Sequence, residues 1–279
     1  MKKMEILAIS SGTMLERIIQ LLEAIGLKIL RNGRDYNPRI ANSELFSSAF
    51  LLPPQNIAAA LASRKINVVI FGKDWLEESG LESEVVTVCE LPFAKKTDQS
   101  ARVVVFGKSK KLIDTEKTSV ASEYPILTRR VFKRARVEAF SRGVEPMVKL
   151  GYDYGVCVIE TGTSLKDNGL TIVKEIMTTP MILAARKLTP QLQCFGELLQ
   201  AALRADRYKL VKMNVKKENL DKILQVLPAL ESPTISQLAT GNFSVESVIS
   251  KEDLGNMVVR LKMLGATGIL AQSLNLVDL

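Results

Sequence analysis

The sequence predicts an α/β fold with a separate unit at its C-terminal end. Short apolar runs, such as residues 4–10 and 67–72, alternate with longer segments whose apolar residues recur at helical spacing. This alternation favours a mostly parallel sheet covered by helices. After Tyr208 the predicted order changes to β-α-β-β-α-β, which is the order of the ferredoxin-like unit.

The first part of the chain contains strands separated by helices. Strands are expected at residues 4–10, 47–53, 67–72, 85–91 and 102–107. The first helix starts after Thr13, which precedes Glu16 in a capping-box pattern, and it ends at Gly26. The second helix covers residues 54–64 and has a proline in its first turn. A short third helix is expected after residue 72.

The remaining elements continue the same pattern and then change it. In the middle of the chain, strands are expected at residues 119–123, 137–140, 154–160, 171–177 and 181–186. Helices are expected there at residues 124–135, 145–151 and 189–207. In the C-terminal unit, strands are expected at residues 209–215, 234–239, 243–250 and 267–274, with helices at 218–228 and 251–265. A unit of this size is typical of a regulatory or assembly module.

The composition limits the classes of function. The formal net charge is +8, but the basic residues are scattered and aromatic residues make up only 5% of the chain. Nucleic-acid proteins more often carry a basic stripe with interleaved aromatic residues, so a small anionic ligand is favoured instead. The chain has no histidine, which excludes histidine-based triads and the usual zinc sites.

The cysteines and the apolar runs indicate the cellular compartment of the protein. Cys89, Cys157 and Cys194 are far apart and show no metal-binding spacing, so we expect free thiols in a reducing compartment. No apolar run is long enough to span a membrane, and no signal-peptide core follows the N-terminus. These features predict a cytoplasmic protein that acts on neither a membrane nor a nucleic acid.

The segment VIETGTSLKDNG, residues 158–169, is the first candidate site. Glu160 comes at the end of an apolar strand, and a turn around Gly162 leads into a predicted helix that contains Lys166. Ligands of open α/β sheets bind at this strand end, and the backbone N–H groups of such a turn can hold a phosphate. The acid could accept hydrogen bonds from sugar hydroxyls. The alternative is an ordinary helix N-terminus after a core strand, and the local sequence leaves both open.

Several segments together resemble the long-form ATP phosphoribosyltransferase family, whose members have a C-terminal regulatory domain. The segments that carry the resemblance are residues 122–132, 159–176, 214–238 and 258–270. The blocks ETGTSLKDNGL and LESPTISQL are specific in combination, and their order and spacing hold over nearly the whole chain.

The resemblance implies an enzyme that joins N1 of the ATP adenine to C1 of phosphoribosyl pyrophosphate, releases pyrophosphate and requires Mg²⁺. This is the first step of histidine biosynthesis. It implies a two-lobed, periplasmic-binding-protein-like catalytic region with lobe I at residues 1–95 and 180–207 and lobe II at residues 96–179. It also implies a ferredoxin-like domain at residues 208–279 that binds histidine as an inhibitor, and assembly as a homodimer to hexamer.

The resemblance also assigns candidate site residues. The loop that would hold the 5′-phosphate consists of Thr161, Gly162, Thr163, Ser164 and Leu165. Glu160 and Asp153 would lie beside the ribose and the metal as the catalytic pair. Candidate contacts to ATP or pyrophosphate are Ser11, Gly12, Arg34, Lys73 and Arg129. The effector would lie near Ser232 and Thr234, and no residue is assigned as a direct metal ligand.

The sequence departs from the family pattern at positions that would carry charge. The family's Lys-Gly-Arg after the first strand is replaced by Ser11-Gly12-Thr13. Its Arg-Pro-Gln-Asp becomes residues 53–56, Pro-Pro-Gln-Asn, and Cys157 stands where an aspartate is expected. Each lost charge-assisted hydrogen bond is worth roughly 1.5–3 kcal/mol, so turnover is in question.

Three interpretations follow from these departures. The favoured one is an active transferase in which other cations replace the lost charge. The residues considered for that replacement are Lys73, Lys95, Lys96, Arg129 and Arg130. The alternative is a non-catalytic paralogue that acts as a ligand sensor or a regulatory subunit. A two-lobed binding protein without phosphoribosyl chemistry is less compatible with the intact ETGTSLKDNG segment.

Overall fold

A computed structural model describes residues 4–33, 35–93, 99–230 and 232–277. These residues form two compact units, one within residues 1–20 and 27–196 and the other within residues 21–26 and 197–279. The first unit contains two sheets and the second contains one. We call the two sheets of the first unit, with their helices, the first lobe and the second lobe. The predicted domain boundaries themselves stay predictions.

The first lobe is built on a seven-stranded mixed sheet. Its strands are β1 (Glu5–Ser10), β2 (Lys28–Leu30), β3 (Arg39–Ala41), β4 (Phe46–Leu52), β5 (Val68–Gly72), β6 (Val86–Leu91) and β12 (Met181–Ala185), in the spatial order β2-β3-β4-β1-β5-β12-β6. Only β1 pairs in parallel, with β4 and with β5, and the other pairs are antiparallel. The predicted mostly parallel sheet is therefore wrong, because β12 runs back between β5 and β6 and β3 runs back between β2 and β4.

The second lobe is built on a five-stranded sheet. Its strands are β7 (Ala101–Gly107), β8 (Ser119–Ser122), β9 (Arg136–Ala139), β10 (Tyr154–Ile159) and β11 (Thr171–Thr179), in the order β11-β7-β10-β8-β9. β8 lies between β10 and β9 and is parallel to both. Burial explains the continuous apolar run of β7, since Val103 and Val105 face one core cluster and Val104 and Phe106 face another.

Helices connect the strands of both lobes. They are α1 (Leu15–Ala24), α2 (Pro54–Ala62), α3 (Lys73–Ser79), α4 (Pro125–Val131), α5 (Val144–Leu150), α6 (Thr163–Asp167) and α7 (Pro190–Ala205). Residues 21–24 of α1 and 197–205 of α7 belong to the second unit. Pro54 and Pro125 each occupy the first turn of a helix, where the missing N–H costs no hydrogen bond. In each lobe three neighbouring strands are parallel, namely β4, β1 and β5 in the first and β10, β8 and β9 in the second. The loops after these strands are where a ligand site is expected.

The second unit contains an antiparallel four-stranded sheet. Its strands are β13 (Tyr208–Val215), β14 (Thr234–Gln237), β15 (Phe243–Ser250) and β16 (Thr267–Ser273), in the order β14-β15-β13-β16. Its helices are α8 (Leu220–Leu224), shorter than predicted because a 3₁₀ turn precedes it, and α9 (Leu254–Met263). Val211, Met213 and Leu261 are fully buried between sheet and helices. This arrangement confirms the ferredoxin-like prediction.

Helices long and apolar enough to cross a bilayer are absent from the described part of the chain.

Candidate active site

A cavity of about 780 Å³ lies between the two lobes. The loops after β1, β4 and β5 contribute one wall, which includes Ser11, Gly12, Thr13, Pro54, Gln55 and Gly72. The loops after β8, β9 and β10 contribute the facing wall, which includes Glu123, Ser141, Arg142 and Glu160. The cavity thus lies at the carboxyl ends of both groups of parallel strands, as expected for an α/β site.

The wall contributed by the first lobe carries no charge at the two positions where the resemblance implies cations. Ser11 and Thr13 both line the cavity, and the N–H of Ser11 donates to the carbonyl of Leu52 at 2.7 Å. Gly12 has a φ of 122°, a conformation that glycine adopts without strain. Helix α1 begins at Leu15, so Thr13 lies in the turn before the helix.

Of the segment 160–165, Glu160 lines the cavity and residues 161–165 do not. The Leu165 side chain is 1% exposed and belongs to the core of the second lobe. The hydroxyls of Thr161 and Thr163 are 2.9 Å apart, and that of Ser164 donates to Glu145 at 2.9 Å. Because its side chain is buried, Leu165 could contact a phosphate only through its backbone. Since α6 has five residues, the hydroxyls and amides of the turn matter more than a helix dipole.

Gly162 sets the shape of this turn. It precedes α6 with a φ of 76°, in the left-handed region. A Cβ at this position would also lie 3.4 Å from the side chains of Ile159 and Ile172. A larger residue would therefore strain the turn and press on the core beneath it.

Asp153 does not lie beside Glu160. Its carboxylate accepts hydrogen bonds from the backbone N–H and the hydroxyl of Ser119, at 2.8 and 2.9 Å. It precedes β10, whereas Glu160 follows it, and six strand residues span about 20 Å. The expectation that the two carboxylates share one ribose is therefore wrong, and Asp153 stabilises the start of β8 instead.

The other predicted contacts are dispersed. Lys73 donates to Glu90 at 2.9 Å, and this hydrogen bond raises the pKa of the lysine. Arg129 is exposed in the last turn of α4, and neither cation lines the cavity. Arg34, Lys95 and Lys96 lie outside the described residues. Ser232 and Thr234, in the second unit, are exposed at and just before the edge strand β14.

A buried hydrogen-bond network that the sequence analysis missed joins the two lobes at the cavity wall. Asp74, 4% exposed, accepts from the Tyr124 hydroxyl at 2.5 Å and from the Thr179 hydroxyl at 2.7 Å. The N–H of Asp74 donates in turn to the Thr179 oxygen at 2.9 Å. Burial raises the pKa of Asp74, while the bonds from Tyr124 and Thr179 lower it. All three residues line the cavity.

Helices α3 and α4 extend this connection. Glu78 accepts the N–H groups of Ile126 and Leu127 at 2.9 and 2.8 Å, so a carboxylate from one lobe caps the helix of the other. The Trp75 ring lies 5.1 Å from that of Tyr124, and Trp75 also lines the cavity. Trp75 therefore packs against the second lobe as well as lining the cavity.

Glu123 and Cys157 lie side by side on neighbouring strands. The N–H of Glu123 donates to the carbonyl of Val156 at 3.0 Å, which continues the parallel register of β8 and β10. Burial raises the pKa of Glu123 to about 7, and the charge of Arg142 opposes this shift. Burial also raises the pKa of the Cys157 thiol, so Cys157 is a neutral side chain.

The comparisons with known proteins identify the family of this chain. A family model described as ATP phosphoribosyltransferase matches residues 53–205, over half of the chain, and a model described as HisG, C-terminal domain matches residues 205–276. The chain belongs to the ATP phosphoribosyltransferase family.

Full-length relatives support membership of this family. ATP phosphoribosyltransferase from Nitratidesulfovibrio vulgaris (strain DSM 19637 / Miyazaki F) is 36% identical, with 96% of each chain covered. ATP phosphoribosyltransferase 1 from Geobacter sulfurreducens is 30% identical, also with 96% of each chain covered. A chain of the ATP phosphoribosyl transferase (HisG:HisZ) complex from Thermotoga maritima is 22% identical and superposes with a TM-score of 0.54, covering 66% of this chain and 87% of that one. The last comparison supports the fold.

Proposed function

We propose that this chain condenses ATP with phosphoribosyl pyrophosphate to give N1-(5-phosphoribosyl)-ATP and pyrophosphate, the first step of histidine biosynthesis. The observation that carries the proposal is Glu160 at the cavity edge, directly before the Thr-Gly-Thr turn, in a chain of this family. Family membership over 96% of the relatives' length favours the enzyme over the non-catalytic paralogue.

The chemistry requires charge placement more than proton transfer. The bond from C1 of the ribose to the pyrophosphate oxygen breaks, and adenine N1 bonds to C1, through a state in which the ribose ring is positively charged. A carboxylate at the ring stabilises that state, and fixed donors hold the phosphates. We propose Glu160, which lines the cavity, for the first role. We propose the N–H groups and hydroxyls of residues 161–165 for the second role, at the 5′-phosphate.

Mg²⁺ fits this cavity as an ion held mainly by the substrate. Clusters of three or more potential metal ligands are absent from the described residues, and the Asp74 carboxylate is already engaged by Tyr124 and Thr179. Mg²⁺ commonly binds through one or two carboxylates together with substrate phosphates. Glu160 is the carboxylate that would complete such a site, where the ion would neutralise charge on the pyrophosphate.

Regulation and assembly are proposed for the second unit. Its edge strand β14 carries exposed polar side chains, which suits a small polar effector near Ser232 and Thr234. We propose histidine as that effector and a homo-oligomer as the assembly. We also propose a cytoplasmic location, which the free thiols of Cys89, Cys157 and Cys194 support.

The test is pyrophosphate release from ATP and phosphoribosyl pyrophosphate with Mg²⁺. The wild-type chain should release pyrophosphate only when both substrates are present. Glu160→Gln should lower kcat by 10²-fold or more, on the order of the loss of one electrostatic contact. Gly162→Val should weaken binding of ribose 5-phosphate in calorimetry. Wild-type protein that binds phosphoribosyl pyrophosphate but never turns over would favour the non-catalytic paralogue instead.

A further inference from the structure

The wall that the second lobe contributes to the cavity includes a cation that the sequence analysis missed. Among the described residues that line the cavity, Arg142 is the one lysine or arginine. It lies in the loop between β9 and α5. The next residue, Gly143, has a φ of 76° and directly precedes α5. This loop follows a strand that is parallel to β8, so Arg142 belongs to the same sheet edge as Glu123 and Glu160.

The ligand of this cleft is strongly anionic, and the facing wall offers it little charge. Ser11 and Thr13 are neutral at the positions where the family pattern has cations, and Lys73 is paired with Glu90 outside the cavity. An anion moved into a cleft without a counter-charge loses hydration energy that hydrogen bonds to neutral groups only partly replace. A guanidinium can bind a phosphate through two parallel hydrogen bonds, and it stays charged at any working pH.

We infer that Arg142 binds the pyrophosphate group of phosphoribosyl pyrophosphate and supplies, from the second lobe, the positive charge that is missing at Ser11 and Thr13. This inference rests on the proposed function. It makes Arg142 a binding residue for the leaving group, distinct from the 5′-phosphate loop at residues 161–165.

The neighbourhood of Arg142 is consistent with this role. Arg142 is close enough to Glu123 for its charge to lower the pKa of that carboxyl group, and both side chains line the cavity. The carboxylate therefore competes with a bound anion for the same guanidinium. Ser141, the preceding residue, lines the cavity too and offers a hydroxyl donor.

The experiment compares two ligands that differ in the pyrophosphate group. Calorimetry with Mg²⁺ at constant ionic strength measures the Kd of phosphoribosyl pyrophosphate and of ribose 5-phosphate for the full-length chain. Arg142→Gln should weaken the binding of phosphoribosyl pyrophosphate by about 10- to 100-fold, as expected for loss of a charge-assisted bidentate contact. The Kd of ribose 5-phosphate should stay unchanged. Arg142→Lys should recover part of the loss, because it keeps the charge but not the paired geometry.

The matched control is Arg134→Gln. Arg134 is an exposed arginine of the same lobe that pairs with Glu116 at 3.2 Å and does not line the cavity, so both affinities should stay as in the wild type. Unchanged affinity for phosphoribosyl pyrophosphate in Arg142→Gln would overturn the inference, and so would an equal loss for both ligands. If wild-type protein releases no pyrophosphate but Arg142→Gln still loses affinity for phosphoribosyl pyrophosphate alone, the inference about Arg142 stands and the proposed catalytic function is wrong. If the wild type binds no phosphoribosyl pyrophosphate, the inference and the proposed function are both wrong.

Discussion

Removal of the Tyr124 hydroxyl tests the hydrogen-bond network that joins the two lobes. Tyr124→Phe keeps the ring against Trp75 but leaves one oxygen of the buried Asp74 without its donor. A hydrogen bond to a charged group contributes about 1.5–3 kcal/mol, and an unsatisfied buried acceptor costs a similar amount. For a unit of this size each kcal/mol shifts Tm by roughly 2–4 °C, so we expect a fall in Tm of about 3–12 °C at pH 8.

The loss should depend on pH in a defined direction. Burial raises the pKa of Asp74 in the folded state, and the Tyr124 hydroxyl opposes that shift. When the pKa of a carboxyl group is higher in the folded than in the unfolded state, stability is lost as pH rises above the pKa of the unfolded state. Tyr124→Phe raises the pKa of Asp74 in the folded state further, because it removes the hydroxyl that opposes the shift. The variant should therefore be closer to the wild type at pH 5 than at pH 8.

Trp75 makes the assay local. It is the one tryptophan of the chain, and its ring lies 5.1 Å from that of Tyr124. Thermal unfolding followed by tryptophan fluorescence therefore reports on the unit that contains the network, even if the second unit unfolds separately. Tyr36→Phe, at a tyrosine that is 67% exposed, is the control. Equal Tm values for the two variants, or a loss at Tyr124 that is larger at pH 5, would refute the reasoning.

Three further variants test the cavity, the strand that leads to it and a helix of the second unit. Burial raises the pKa of the Glu123 carboxyl to about 7, so this group gains negative charge beside Arg142 as pH rises. Calorimetry should therefore show that phosphoribosyl pyrophosphate binds more weakly at pH 8 than at pH 6. The Glu123→Gln variant should show a smaller difference between the two pH values. Gly155→Ala, in β10, places a Cβ 2.2 Å from the ring of Phe106 in the neighbouring strand β7 and should lower Tm by several degrees. Gly255→Ala, in a helix with nothing within 4 Å, should raise the stability of the second unit by about 0.5–1 kcal/mol in urea titration.

The strands were predictable where burial dictates their sequence. The runs that became β5 and β7 are buried over most or all of their length, so a continuous apolar stretch identifies them. β2 and β3 were missed because three residues are too few to show a period. Strand direction was also missed. A buried strand has the same composition in either direction, so nothing in residues 181–185 shows that β12 is antiparallel to β5.

The candidate site was predictable only where neighbours in sequence are neighbours in space. Glu160 lines the cavity and could be predicted because it directly follows one strand, whereas the phosphate-binding role of the turn after it stays a prediction. Asp74 and Thr179 are 105 residues apart, so no local pattern indicates their hydrogen bond. Asp153 was wrongly paired with Glu160, although the predicted strand between them already implied their separation.

The position of Arg142 changes how binding and catalysis depend on the two lobes. If Arg142 holds the pyrophosphate and residues 161–165 hold the 5′-phosphate, both ends of the substrate contact loops of the second lobe. Binding of phosphoribosyl pyrophosphate then needs no fixed distance between lobes, whereas attack by ATP needs the facing wall at Ser11–Gly12–Thr13. Tyr124→Phe, which weakens the connection between the lobes, should therefore lower kcat while leaving the Kd of phosphoribosyl pyrophosphate within about twofold. Calorimetry and pyrophosphate release on the same preparation measure both quantities. A parallel loss of affinity and rate would show that the first lobe also holds this substrate.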